Sequence, residues 1–340
     1  REAELRSLAA ALADTCRGAC RLLLVSGGPG VGKTALIQEL RQPVAEARGF
    51  FAIGKFDPLR RATPYSALTE AFGDLARQFL VGGDADVASW RTRILDAVAP
   101  NARILVDLVP ELLPLLGPQP PVPEVGPVEA ANRFHHVFQR FVAACCATER
   151  PLVLLLDDLQ WVDSATLSLL ERLLSDPGAH HLLLVGAFRD NEVDRAHPLH
   201  DFLAALGGLS PTRVALAPLA EAHVRRLLAE TLRGEENVVA PLARLIYAKA
   251  GGNPFFTTQF LETLHADGLI AFSPAVSGWT WDQTAIEALA VTENVAEFLA
   301  GRLRDLPSET QAALRQAAFL GNTFDLPTLA IVTQRPEERP

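Results

Sequence analysis

Short apolar runs alternate with helical patterns over the first two thirds of the chain. The apolar runs have the length of strands that are buried on both faces of a parallel sheet. Between them, apolar residues recur at spacings of three and four, the pattern of an amphipathic helix. This alternation predicts an α/β fold in residues 1–217, with a parallel sheet between layers of helices. The predicted strands lie at about 21–26, 50–56, 152–156, 182–187 and 213–216.

A proline-rich segment interrupts the helices of this region. Residues 110–127 contain seven prolines, and we predict an extended surface connector there. A partner-binding segment is the alternative, which is less favoured because the sequence implies no basic or aromatic docking partner within the segment. The predicted helices of this region lie at about 1–13, 35–47, 64–79, 86–98, 101–108, 128–148, 164–175 and 198–206.

The pattern changes after Pro218, where helical periodicity dominates and no internal repeat is evident. Trp279 and Trp281 alternate along the second strand of a predicted hairpin at 269–282. A Gly-Gly-Asn-Pro break at 251–254 separates two of the helices. The predicted helices lie at about 220–232, 238–250, 255–266, 292–304, 308–319 and 325–332.

A glycine-rich loop between the first strand and the next helix carries the main candidate chemistry. Its glycines let successive backbone N–H groups turn toward one anion, and the following helix directs the positive end of its dipole there. Lys33 can reach the β- and γ-phosphates of a nucleotide, and the Thr34 hydroxyl can ligate Mg²⁺. A glycine-rich turn that binds nothing is the alternative. The residues predicted to bind the nucleotide are Gly27, Gly28, Pro29, Gly30, Val31, Gly32, Lys33, Thr34 and Ala35.

Two carboxylates follow the apolar strand at 152–156. Acids at this position lie at the C-terminal edge of a parallel sheet, beside the phosphate loop. Asp157 is predicted to hold Mg²⁺ together with Thr34, and Asp158 to orient or deprotonate the attacking water. An unpaired acid pair would repel itself, and a bound cation would relieve that repulsion. An Asp pair that caps the next turn is the alternative.

Arg189 also ends an apolar strand and is predicted to face the same edge of the sheet. It could sense the γ-phosphate or stabilise its transition state. A salt bridge to Asp190 or Glu192 is the structural alternative. Near the acid pair, Trp161 is interpreted as a packing residue and Asp163 as a helix N-cap.

Composition limits the class of protein. The net charge of −9 disfavours non-specific nucleic-acid binding by the whole chain, although it leaves room for a local basic patch. No run of 18 apolar residues, as a membrane span would need, is present, and no secretory signal is visible. The chain lacks methionine, which predicts that it is a piece of a longer protein.

Cysteine and histidine patterns give no metal site. Cys-x-x-Cys spacing is absent, so all four cysteines are predicted to be small packing residues of a reduced, cytoplasmic protein. Adjacent histidines point in different directions and lack partners at ligand spacing. The residues concerned are Cys16, Cys20, Cys145, Cys146, His135, His136, His180 and His181.

Four segments, in this order along the chain, resemble the signal transduction ATPases with numerous domains, which belong to the AAA+-like branch of P-loop NTPases. They are Gly27–Thr34, Leu152–Asp158 with the Gln-Trp-Val-Asp that ends at Asp163, Gly186–Arg189, and Gly251–Phe256. The chain most resembles the bacterial regulators that fuse this ATPase to a Ser/Thr kinase, histidine kinase, cyclase or LuxR-type DNA-binding domain. The maltose-regulon activator class is similar.

The resemblance implies roles and boundaries that the residues alone do not. Gly27–Thr34 would be the Walker A motif and Leu152–Asp158 the Walker B motif. Residues 1–217 would form the ATPase core and 218–290 a helical lid, in which Pro254 contacts the nucleotide. Residues 291–340 would be an incomplete winged-helix-like segment that is an intramolecular switch contact and does not bind DNA.

The function that follows is a slow, Mg²⁺-dependent ATPase switch for signal transduction or transcription regulation. Its partners would be ATP, ADP and output domains of the same chain, with nucleotide-dependent self-association as a further expectation. A nucleotide-binding scaffold without hydrolysis and an oligomeric AAA+ remodelling ATPase or DNA loader remain alternatives. A small-molecule P-loop kinase is less favoured because no acceptor pocket is evident.

Overall fold

The computed structural model describes residues 1–60, 63–146, 150–274, 278–288, 301, 303–304, 306–320 and 325–333. The chain divides into two compact units. The first comprises Arg1–Gly28 and Lys33–Leu216, and the second comprises Pro29–Gly32 and Ala217–Pro340.

The first unit is built on a parallel sheet, which confirms the predicted α/β fold. Its strands follow the spatial order β2-β3-β4-β1-β5, and all adjacent pairs are parallel. Parallel strands need crossovers, which the helices between them supply. The strands are β1 Arg21–Gly27, β2 Phe50–Lys55, β3 Leu152–Asp157, β4 Leu182–Phe188 and β5 Thr212–Leu216.

Helices pack against this sheet and against one another. They are α1 Glu2–Cys16, α2 Lys33–Gln38, α3 Arg41–Glu46, α4 Ser66–Leu80, α5 Asp84–Val98, α6 Ala102–Leu108, α7 Leu113–Leu116, α8 Pro127–Cys145, α9 Ser164–Leu174 and α10 Pro198–Ala205. Phe72 of α4 meets Phe138 and Phe141 of α8 with ring centroids 5.1 and 5.3 Å apart. Each ring is fully buried, and burial of one such side chain contributes roughly 1.5–3 kcal/mol.

The close approach of helix α4 to strand β2 requires a glycine at position 54. A Cβ built on Gly54 of β2 would lie 1.8 Å from the carbonyl oxygen of Ala67 in α4. No side chain fits in that space, so Gly54 lets α4 lie directly on β2. This packing sets the position of Lys55, the last residue of the strand.

Two predictions about the helices are wrong in detail. The helix predicted at 35–47 is two short helices, α2 and α3, with i−3 hydrogen bonds at Glu39 and Leu40 between them. Pro43 explains the break, because its ring clashes with the carbonyl four residues earlier and it has no N–H to donate.

The second error concerns the proline-rich segment. Residues 117–126 have no regular secondary structure, whereas Pro110–Leu112 forms a 3₁₀ turn and Leu113–Leu116 forms α7. Leu112, Leu115 and Leu116 are buried in the core. The leucines between the prolines therefore decide the structure of the first half of this segment, through burial that proline count does not reveal.

Asp163 caps α9, as the sequence predicts. Its Oδ1 accepts from Thr166 N at 2.8 Å and its Oδ2 from Thr166 Oγ1 at 2.6 Å. We expect Asp163→Ala to lower the free energy of unfolding by about 1 kcal/mol, because the helix loses its side-chain cap. Asp163→Asn should lose much less, since an amide oxygen accepts the same bond. Urea unfolding of the three proteins measures the difference, and equal stability would contradict the capping role.

In the second unit, helices and a short hairpin form a separate core. The elements are α11 Glu221–Thr231, α12 Glu236–Ala250, α13 Pro254–Ala266, β6 Ile270–Ser273, β7 Gly278–Trp281, α14 Gln283–Ala288, α15 Ser308–Ala317 and α16 Leu326–Thr333. The hairpin is antiparallel, with Ile270 opposite Trp281. Most of the helix predicted at 292–304 lies outside the described residues.

The cysteines differ in burial. Cys145 and Cys146 are buried packing residues, and burial raises the pKa of each thiol. Cys20 is half-buried, with its pKa raised to about 11 by burial. Cys16 is exposed, which corrects its prediction as a packing residue.

The histidine pair 180–181 lies against backbone carbonyls. His180 Nδ1 is 3.2 Å from Gly18 O, and His181 Nδ1 is 3.1 Å from Thr15 O. Within the described ranges, no three His, Cys, Asp or Glu side chains group as metal ligands. None of the described helices has both the length and the apolar character to cross a membrane.

Candidate functional site: the loop after strand β1 and the C-terminal edge of the sheet

The loop between β1 and α2 has the backbone of an anion cradle. Gly27, Gly30 and Gly32 have φ values of 149°, 72° and 95°, which L side chains rarely adopt. Gly28 does not have a positive φ, so its backbone conformation is one that other residues can adopt. A Cβ built on Gly28 or Gly32 would meet no atom within 4 Å. The loop therefore leaves open space beside both glycines.

Lys33 and Thr34 open helix α2. Lys33 is 7% exposed, and its Nζ donates to the carbonyls of Gly27 at 2.8 Å and Gly28 at 3.0 Å. Thr34 Oγ1 donates to Asp157 Oδ2 at 2.8 Å. The ammonium is thus held inside the loop, and the hydroxyl points to the acid that ends β3. Of the flanking predicted residues, Val31 is buried and Ala35 lies in α2.

Burial lowers the pKa of Lys33, and the nearby Asp157 carboxylate opposes that shift. A lysine is charged below its pKa, so Lys33 loses its charge at a lower pH than a free lysine does. We expect the affinity for ADP to fall over a pH range that lies below about 10.4, the pKa of a free lysine. In Lys33→Arg the affinity for ADP should depend less on pH, whatever its absolute value, because the guanidinium stays charged in that range. Titration of fluorescent ADP measures both profiles, and equal slopes would contradict the role of the Lys33 charge.

The two carboxylates after β3 have different surroundings. Asp157 Oδ1 accepts from the Asp158 backbone N–H at 2.9 Å, and its Oδ2 faces Thr34. Asp158 has φ 56° and ψ 45°, the left-handed conformation that aspartate tolerates better than most residues. This conformation turns the second carboxylate away from the first, toward neighbouring strand ends.

Asp158 is surrounded by donors. Its Oδ2 lies 3.3 Å from Lys55 Nζ, and its Oδ1 accepts from Gln160 Nε2 at 2.9 Å and lies 3.8 Å from Arg189 Nε. Both side-chain cations contact Asp158, whereas the oxygens of Asp157 face the Thr34 hydroxyl and the Asp158 N–H.

Arg189 follows the last residue of β4. Its Nη1 donates to Glu192 Oε1 at 2.8 Å, so one of the two salt bridges considered as a structural alternative is present. The same guanidinium faces Asp158 through Nε. Arg189 thus lies at the predicted edge of the sheet and pairs with two carboxylates.

Sequence reasoning missed Lys55 and Gln160 as parts of this site. Lys55 pairs in register with Asp157 across β2 and β3, and its side chain is 44% exposed. A signal for it was present, because a charged residue at the C-terminal end of an apolar strand is the pattern that identified Asp157 and Arg189. Gln160 is 2% exposed, and its signal was its place in the Gln-Trp-Val-Asp segment that resembles the family, although residue type alone gave it no role.

Pro254 belongs to the second unit, where it is the first residue of α13. Asn253 caps that helix, since its Oδ1 accepts from Phe255 N at 3.1 Å and Phe256 N at 3.4 Å. A Cβ on Gly252 would lie 2.1 Å from the carbonyl oxygen of Leu219. The Gly-Gly-Asn-Pro break is therefore a capped helix start whose second glycine is required by close packing.

Comparison with known families identifies the first unit. Residues 1–185 match the AAA ATPase domain family, which is more than half of the chain. The chain belongs to the AAA ATPase domain family. The Thr34–Asp157 and Lys33 geometry described above lies within the matched region of this AAA ATPase domain.

Individual proteins similar to this AAA ATPase domain include a signalling kinase. Hybrid signal transduction histidine kinase G of Dictyostelium discoideum is 26% identical over all of the chain, which spans 12% of the length of that relative. A Walker-type ATPase of Pyrococcus abyssi has a TM-score of 0.48 and 15% identity, covering 98% of this chain and 87% of that one. A signal transduction ATPase with numerous domains from Pyrococcus horikoshii, with a tetratricopeptide repeat sensor, has a TM-score of 0.38 and 13% identity, covering 95% and 48%.

Proposed function

We propose that this AAA ATPase domain binds ATP with Mg²⁺ and hydrolyses it slowly, as a regulatory switch within a multidomain signalling protein. The observation that carries the proposal is the hydrogen bond of 2.8 Å between Thr34 and Asp157, next to a lysine held inside a glycine loop. The Thr34 hydroxyl and the Asp157 carboxylate come from motifs far apart in the chain, and their oxygens lie side by side. Oxygen ligands of this kind suit a hard cation.

The residues present fit a nucleotide triphosphate and its metal. The open space beside Gly28 and Gly32 leaves room for phosphate oxygens, and Lys33 can exchange its two carbonyl contacts for those oxygens. Thr34 and Asp157 would hold Mg²⁺, which supplies charge neutralisation of the phosphates when bound. The remaining loop residues would bind the phosphates through their backbone N–H groups.

Hydrolysis would depend on Asp158 and Arg189. Asp158 would orient the attacking water and accept its proton, and Arg189 would contact the γ-phosphate. Turnover is expected to be slow, because Asp158 must leave its contacts with Lys55 and Arg189 before it can act on water. The same contacts favour one alternative, a nucleotide-binding scaffold in which Asp158 stays neutralised and no hydrolysis occurs.

The switch role rests on the relatives and on the division of the chain. The histidine kinase relative is a signalling protein, and this chain spans 12% of it, which leaves room for output domains of the kinase, cyclase or DNA-binding kind. The region after residue 217 would act as a lid whose Pro254 contacts the nucleotide, followed from 291 by a winged-helix-like segment. Loss of the γ-phosphate would then change the contacts of the lid and the self-association of the protein.

Binding of fluorescent ATP and ADP with Mg²⁺, together with γ-phosphate release, tests this function. The expected result is binding of both nucleotides and slow release of phosphate. Binding without release would support the scaffold instead. Absence of binding at micromolar protein would refute the nucleotide site.

A further inference from the structure

Gln160 joins two parts of the site through one buried side chain. Its Nε2 donates to Asp158 Oδ1 at 2.9 Å, and its Oε1 accepts from the backbone N–H of Arg189 at 3.2 Å. The donor end thus holds the carboxylate after β3, and the acceptor end holds the backbone after β4. An amide has a donor and an acceptor at its two ends, which both contacts require.

The turn that carries Gln160 is fixed on both sides. A Cβ on Gly186 of β4 would lie 2.3 Å from Leu159 Cδ1, so the absence of a side chain there lets the turn lie against the strand. His197 Nε2 donates to the Gln160 carbonyl at 3.1 Å. Because His197 is itself buried at the start of α10, the Gln160 backbone is anchored to a second element.

Asp158 Oδ1 is shared between Gln160 and Arg189. The amide lies within hydrogen-bond distance of this oxygen, whereas Arg189 Nε remains 3.8 Å away. A guanidinium and a carboxylate form a shorter and stronger contact when nothing competes. The Gln160 amide therefore competes with Arg189 for this oxygen, and Glu192 Oε1 accepts from the Nη1 end of the same guanidinium at 2.8 Å.

We propose that Gln160 is a positioning residue that holds Asp158 and Arg189 in a fixed relation and keeps the guanidinium available for the γ-phosphate. The proposal rests on the function proposed above. Without Gln160, Asp158 and Arg189 close on one another, and both water activation and recognition of the γ-phosphate are weakened. Binding of the other phosphates, which depends on Lys33 and the loop, is retained.

Gln160→Leu removes both hydrogen bonds at similar side-chain volume. We expect kcat for γ-phosphate release to fall about 10-fold or more. The wild type should prefer a non-hydrolysable ATP analogue over ADP, because Arg189 contacts the γ-phosphate, and Gln160→Leu should lose this preference while its affinity for ADP changes little. Gln78→Leu is the matched control, because Gln78 donates to Phe51 O at 2.9 Å and Asp74 Oδ2 at 3.1 Å in the same unit. It should change the melting temperature but neither kcat nor the preference. A Gln160→Leu protein with wild-type kcat and preference would overturn the proposal.

Gln160→Glu tests the donor end alone. When the Glu side chain is ionised, it still accepts from the Arg189 backbone N–H but repels the Asp158 carboxylate. When it is protonated, its O–H donates to Asp158 Oδ1 as the glutamine amide does. The rate relative to wild type should therefore rise as the pH is lowered from about 8 to about 5.5. A constant ratio across this range would contradict the role, since a purely structural defect has no reason to be rescued by acid.

Failure of the proposed function can be told apart from failure of this inference. The carboxyl ¹³C signal of Asp158, assigned by its loss in Asp158→Asn, is measured without nucleotide. The chemical shift of this signal should change in Gln160→Leu and remain that of the wild type in Gln78→Leu. If the wild type neither binds nor hydrolyses nucleotide but the signal moves, the function is refuted and the contact holds. If the signal stays, the inference is overturned whatever the activity.

Discussion

Lys33→Ala is expected to lower the affinity for ATP and ADP by at least about 100-fold, to the point where binding is lost at micromolar protein. Lys33 is the charged group held at the centre of the loop, within 3.0 Å of two of its carbonyls. Two charge-assisted hydrogen bonds to phosphate contribute together about 3 kcal/mol, which is the size of this loss. Equilibrium binding of fluorescent ATP and ADP measures it.

Arg103→Ala is the matched control for this variant. It also removes one positive charge from the first unit, from an exposed pair with Asp107 that contributes little to stability. We expect its nucleotide affinity to equal that of the wild type. Melting curves of both variants verify that each is folded. Unchanged affinity in a folded Lys33→Ala protein would refute the phosphate site.

Asp158→Asn is expected to reduce γ-phosphate release by about 100-fold or more and to leave ATP affinity within a few-fold of the wild type. Asparagine tolerates the left-handed backbone of this position as well as aspartate does, and its Oδ1 can still accept from Gln160. The change therefore removes the proton acceptor and the contacts with Lys55 and Arg189 that depend on its charge.

Asp163→Asn makes the same chemical change five residues later, where the side chain caps α9. It should release phosphate at the wild-type rate. Single-turnover assays with γ-labelled ATP separate this chemistry from product release. If Asp158→Asn hydrolyses ATP as fast as this control, Asp158 is not the residue that activates water. If the wild type is equally inactive, the scaffold alternative gains support.

Much of the fold could be predicted from the sequence, because the period of the apolar residues is a local property. The strand at 152–156 has no polar residue for a solvent-facing side, so it had to be buried on both faces, and the structure leaves it fully buried. The prediction was wrong where the spacing of apolar residues and the conformational effect of proline favoured different structures. Pro43 broke a helix that the apolar spacing predicted to continue, and the buried leucines of α7 formed a helix where proline count predicted an extended chain.

In the candidate site, some residues could likewise be predicted from the sequence and others could not. Lys33 and Thr34 could be located by the glycine-rich loop before them, and Asp157 and Arg189 because each lies at a strand end that the pattern reveals. Lys55 and Gln160 could not be assigned to Asp158, because their contacts join residues through space and have no sequence period. The identity of the donors around a carboxylate depends on strand order and on side-chain direction.

The sequence by itself determined that this chain has a parallel sheet, a glycine loop with lysine and threonine after its first strand, and acids after its third. These follow from residue type and spacing, which act within one element. Only the tertiary structure decided that β4 lies between β1 and β3, and that Gln160 links the ends of β3 and β4. Such relations arise from packing between elements far apart in the chain, and the free energy of that packing depends on distances that no local pattern contains.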